Sequence, residues 1–115
     1  RTHVNKLPPH ALEPAPSVAV IDVSFISLVA VLPAVLVQLG RPAHVLALIK
    51  PQFEVGREHV GKGGIVRDAA AREAAVKKVV ASAASLGMTC LGVIDSPITG
   101  TDGNVEHWGA FAVPL

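Results

Sequence analysis

Apolar residues in this chain gather in runs, and breaks rich in proline, glycine and charge separate the runs. The first run, SVAVIDV at residues 17 to 23, is continuous and β-branched, as expected of a central strand covered on both faces, with Asp22 at its carboxyl end. The next, SLVAVLPAVLVQLG, is apolar around its whole circumference and predicts a buried helix capped at Gly40, with Pro42 beyond. HVLALIK, from His44 to Lys50, predicts a second strand, and Pro51 forces Lys50 into an extended conformation. Residues 51 to 67, with four glycines and three cations, read as a basic loop. Asp68 is a suitable N-cap for a helix reaching Leu86. Its stripe is Val76, Val79, Val80 and Ala83, its water-facing side Arg72, Glu73, Lys77 and Lys78, and its stop Gly87. Met88 to Ile94 predicts a third strand. After the turn-forming SPITGTDGN, Val105 to Val113 predicts a fourth, antiparallel to the third. Residues 1 to 16 hold Pro8, Pro9, Pro14 and Pro16 and read as a loop or linker.

Strand alternating with helix implies an α/β fold: a mostly parallel sheet with an antiparallel last strand and helices packed on it. Right-handed crossovers bring the carboxyl ends of the parallel strands to one edge, where open α/β sheets bind ligands. Asp22 and Lys50 end adjacent predicted strands, and Glu106 enters the last strand from the opposite direction. The topology thus carries three ionisable groups toward one rim.

Composition narrows the picture. With 115 residues the chain holds one core at most, and 50% hydrophobic against 3% aromatic content means that aliphatic side chains build it. A net charge of +1 is too small for bulk attraction to nucleic acid, so any RNA contact must be a local patch. Arg57, Lys62 and Arg67, among glycines that let a phosphate backbone approach, are the candidate patch. Cys90 is alone and forms no internal disulfide, which points to a reducing, cytoplasmic setting. His3, His10, His44, His59 and His107 share no metal-binding spacing, and no metal is expected. GREHVGK, residues 56 to 62, fits the start of a phosphate-binding loop, but Gly63 stands where a magnesium-binding hydroxyl is needed. Residues 17 to 39 are long and apolar enough to suggest a membrane-active peptide. Asp22 at mid-membrane would cost about 2.5 to 3.5 kcal/mol, and strand followed by helix explains the same residues without that cost.

DVSFISL at residues 22 to 28, KPQFE at 50 to 54, VGKGGIVRD at 60 to 68, SPITG at 96 to 100 and GNVE at 103 to 106 occur in one order and spacing. Together they resemble the hemolysin A (TlyA) family, a branch of the FtsJ-like ribosomal RNA ribose 2′-O-methyltransferases, over residues 18 to 110. The resemblance implies a Rossmann-like fold using S-adenosylmethionine and a Lys-Asp-Lys-Glu catalytic tetrad whose last three members fall on Asp22, Lys50 and Glu106. It implies cofactor contacts at Asp22 and Ser24, with ribosomal RNA as the partner. The tetrad's first Lys and the glycine-rich turn that cradles the cofactor lie upstream in the family, and this sequence contains neither. The expectation is therefore an incomplete methyltransferase domain, residues 17 to 115 forming its carboxy-terminal half, inactive alone. RTHVNKL, residues 1 to 7, resembles the segment near the adenine but has His3 where Asn is usual.

Methyl transfer to a ribose hydroxyl needs in-line approach and a proton acceptor, for which Lys50 is the candidate. Carboxylates at Asp22 and Glu106 would favour its ammonium form, so without the upstream Lys they orient an idle amine. The rival reading is a non-enzymatic fragment that binds RNA or a partner. A sheet without its first strands exposes an apolar edge, which predicts self-association or a companion supplying the amino-terminal half.

Overall fold

The computed structural model describes residues 15–56, 60–61, 64–99 and 103–115. Strand β1 spans Val18–Ile21, helix α1 Leu28–Leu36, β2 Ala43–Ile49, α2 Ala69–Ser85, β3 Thr89–Asp95 and β4 His107–Val113; a short 3₁₀ turn, η1, covers Pro51–Phe53. The sheet order is β1-β2-β4-β3. β1 and β2 are parallel, whereas β4 runs antiparallel to both β2 and β3. The antiparallel pairing of the last two strands agrees with the sequence, but β4 also slides between β2 and β3. Local pattern does not encode that insertion, because a strand's neighbours are chosen by packing across the whole sheet.

The register sorts the side chains into two faces. Ala19, Val45 and Phe111 align in one row and Ile21, Ala47 and Gly109 in the next, and this side carries the core with α1 and α2 packed on it. Val20, Leu46 and Ala110 lie on the opposite side. Val18 is 56% exposed, Val20 63% and Leu46 40%. The expectation that β1 is covered on both faces is thus corrected: among the described residues only one face is covered. Continuous apolar runs signal two-sided burial when every layer is present, and the described residues supply no layer over Val18 and Val20.

Each helix follows from its caps. Ser27 caps α1 by accepting from the Val29 amide at 3.0 Å, and Leu28, Val31, Leu32 and Val35 are buried. α1 is not buried all round, since Val29 and Val37 are exposed, and it ends at Val37 rather than Gly40. The Gly40 amide bonds the Pro16 carbonyl instead, at 2.8 Å. Asp68 caps α2 through the Ala70 amide, and Gly87, at φ 85°, takes the left-handed turn that leads into β3. The buried face of α2 is Ala71, Ala75, Val79 and Ala83, small enough to let the helix lie close to the sheet, while Val76 and Val80 pack at its margin. Arg72 departs from the predicted solvent face, while Lys78 stays exposed on it. Arg72 Nη1 donates to the Val66 and Arg67 carbonyls, and Lys78 turns to Glu54. At Gly109 a Cβ would sit 2.9 Å from the Phe111 ring, so only glycine lets that ring fill the core.

Candidate functional site

Three chain segments form the rim beyond the carboxyl ends of β1 and β2: residues 22–27, the turn 50–54, and residues 104–106 leading into β4. Lys50 leaves β2 in an extended conformation, φ −109° and ψ 100°, as the following proline requires. Its amine reaches across to the first segment, 2.6 Å from Asp22 Oδ1, and donates to Ser24 Oγ at 3.0 Å. The Lys50 side chain is only 13% exposed and that of Asp22 59%. The amine is shielded while the carboxylate faces solvent.

Glu106 is buried and accepts a hydrogen bond from Gln52 Nε2 at 3.0 Å. Lys50 and Glu106 line one cleft of about 320 Å³, together with Ser24, Phe25, Gln52, Phe53 and Asn104. Asp22 lines a second, largely apolar groove of about 380 Å³ that runs along β1 to Leu39. The Lys50–Asp22 pair therefore stands between two hollows, and the three charged residues singled out from the sequence lie on one rim. Asn104 is buried; its side chain accepts from the Val66 amide and donates to the Gly64 carbonyl, both at 2.9 Å, which ties the glycine-rich loop to the cleft wall.

Of the proposed RNA-binding cations, Arg57 and Lys62 lie outside the described residues, as does the RTHVNKL segment. Arg67 is exposed and stands apart from the cleft lining. Sequence reasoning missed Phe25. Its ring is 90% exposed, its φ is 65°, and it meets Phe53 with ring centroids 5.1 Å apart. A bulky residue in the left-handed region is strained, and such strain gathers at functional sites. The signal available beforehand was the scarcity of aromatics, two of which fall inside the motifs DVSFISL and KPQFE. His107 sits on the helix-covered side, its Nδ1 2.8 Å from Asp95 Oδ1. Among the described residues no helix is long and apolar enough to cross a membrane; α1, at nine residues, is about 14 Å long against a hydrocarbon core of about 30 Å.

The rim, the sheet order and the motifs agree with a comparison against known families: the FtsJ-like methyltransferase model matches residues 1–112, and the chain belongs to that family. Its relatives lie in the hemolysin A branch that the motifs resemble. The 16S/23S rRNA (cytidine-2′-O)-methyltransferase TlyA of Mycobacterium tuberculosis is 44% identical over 108 residues, 94% of this chain and 40% of that protein. Hemolysin A of Brachyspira hyodysenteriae is 39% identical over 98 residues, covering 85% of this chain and 41% of that protein. A crystal structure from Lactococcus lactis, named for a hemolysin, superimposes with a TM-score of 0.91 at 41% identity, over 96% of this chain and 53% of that one. The chain thus spans about two fifths of the curated relatives it matches.

Proposed function

We propose that this chain supplies the substrate side of a ribosomal RNA ribose 2′-O-methyltransferase, with Asp22, Lys50 and Glu106 as its catalytic residues. The observation that carries the reading is the Lys50–Asp22 pair between the cleft lined by Gln52 and Glu106 and the groove along β1. Ribosomal RNA as substrate is carried over from the Mycobacterium relative's name.

S-adenosylmethionine, when bound, would supply an electrophilic methyl group. The described residues fit one flank of it: the exposed Asp22 carboxylate at the end of an apolar groove suits a cation with a hydrophobic body, and Ser24 stands beside it. They offer no glycine-rich turn between strand and helix for the amino-acid end. The residues of this chain would act on the ribose. Lys50, aimed by Asp22 and Ser24, meets the hydroxyl and manages its proton; Glu106, held by Gln52, orients the sugar from the opposite wall. Phe25, exposed at the mouth, offers a flat apolar face to a base taken out of its stack. Arg57, Lys62 and Arg67 would meet phosphates beside it.

The bare face, with Val18, Val20 and Leu46 exposed, supports a companion layer. We infer that it is the amino-terminal part present in the relatives, and that the chain alone transfers no methyl group. The test is a chimera joining the amino-terminal part of the Mycobacterium relative to this chain, assayed by radiolabelled methyl transfer to ribosomal RNA. Transfer by the chimera and none by the isolated chain is expected; no transfer by a folded chimera that binds S-adenosylmethionine overturns the reading. Sedimentation of the isolated chain should show self-association, and a monomer with cooperative unfolding would contradict the missing layer.

A further inference from the structure

Glu54 is a buried acid outside the proposed tetrad. Its side chain is 1% exposed, although a carboxylate in such a place must be matched by donors to persist. Three neighbours supply them. Ser27 Oγ donates to Oε1 at 2.6 Å, the Leu28 amide donates to Oε2 at 2.8 Å, and Lys78 Nζ lies 3.4 Å from Oε1 while donating to the Glu54 carbonyl at 2.9 Å. Ser27 and Leu28 open α1, so the negative charge also sits at the positive end of that helix.

The consequence is mechanical. Residues 22–27 carry Asp22, Ser24 and Phe25 and include no regular strand or helix between β1 and α1. One end of this segment is held by the sheet, and the other is held by Glu54. Glu54 also follows directly on Lys50, Gln52 and Phe53, three residues of the opposite cleft wall. One carboxylate therefore cross-ties the two segments that must stay in register for Lys50 to reach Ser24 and for Phe25 to meet Phe53.

We propose that Glu54 is a positioning residue for methyl transfer, fixing the 22–27 segment against the 50–53 turn so that Lys50, Ser24 and Phe25 keep their geometry. The proposal rests on the methyltransferase reading for its catalytic consequence but not for its structural one. Misplacement by about 1 Å far from the reacting atoms can lower a rate about a hundredfold.

The test uses the chimera described above. In Glu54→Ala, amide hydrogen exchange should rise about tenfold or more across residues 22–28 while 43–49 and 107–113 keep wild-type protection, as expected of local release rather than global loosening. Turnover should fall about ten- to a hundredfold, and Glu54→Gln, which keeps one acceptor oxygen, should recover part of the loss. Because Glu54 acts through Ser24, the losses in Glu54→Ala and Ser24→Ala should combine to less than their product. Uniform exchange across the whole sheet, or multiplicative losses, overturns the proposal. Should Glu54→Ala fail to fold, Ser27→Ala removes the hydroxyl tie to Glu54 together with the cap on the Val29 amide, so exchange must rise at 22–26, ahead of that cap, and not at the start of α1 alone. A folded wild-type chimera that binds S-adenosylmethionine without transferring its methyl group would refute the methyltransferase reading, while the exchange pattern would still decide the role of Glu54.

Discussion

Lys50–Asp22 and Lys78–Glu54 join the same two kinds of charge across the same part of the molecule, yet they are buried in opposite senses. In the first pair the amine is 13% exposed and the carboxylate 59%; in the second the amine is 46% exposed and the carboxylate 1%. Glu54 has its oxygens met by a hydroxyl, an amide and an ammonium from within the fold. Asp22 has the Lys50 amine and otherwise faces a groove. The contrast separates a charge kept for architecture from one kept for chemistry: the first is satisfied inside the fold, while the second is left open on one side.

The largest expected effect breaks the first pair. Lys50→Ala in the chimera should lower methyl transfer about a hundredfold or more while leaving the unfolding midpoint close to wild type, since among the described residues the amine pairs with Asp22 and Ser24 on a partly open rim. Retained transfer would show that the pair is not the working one. The second pair should respond in the opposite currency: Glu54→Ala should cost about 1 to 3 kcal/mol in urea unfolding, because it strands the Ser27 hydroxyl and the Leu28 amide away from water. Lys78→Met should cost about 1 kcal/mol or less by the same measurement, its amine being half exposed and its stem still able to cover apolar surface. The smallest change in stability belongs to Asp22→Asn, within about 0.5 kcal/mol, accompanied by a loss of transfer that urea unfolding does not register. A stability cost for Asp22→Asn as large as that for Glu54→Ala would erase the distinction.

A good part of this organisation was legible in advance. Pro51 announced the extended Lys50, Asp68 and Gly87 bounded α2, and the strand ends named Asp22, Lys50 and Glu106 as rim residues. Other features were not. Lys78 stands exposed at the helix position that pattern assigns to water, yet its amine pairs with Glu54 beside η1, a partner that pattern does not reveal. Phe25 and Glu54 lay within recognised motifs, yet their roles depend on residues 24 to 28 positions away in sequence.

The sequence by itself determined the elements, their boundaries to within a few residues and the family, because caps, prolines and apolar runs act over a handful of neighbouring residues. Only the tertiary structure decided that β4 enters between β2 and β3, that Val18 and Val20 of β1 stay exposed among the described residues, and that Glu54 ties two walls of the cleft together. Those outcomes are set by which surfaces meet across the fold and by which buried polar atoms must find partners, and neither requirement is written in local order.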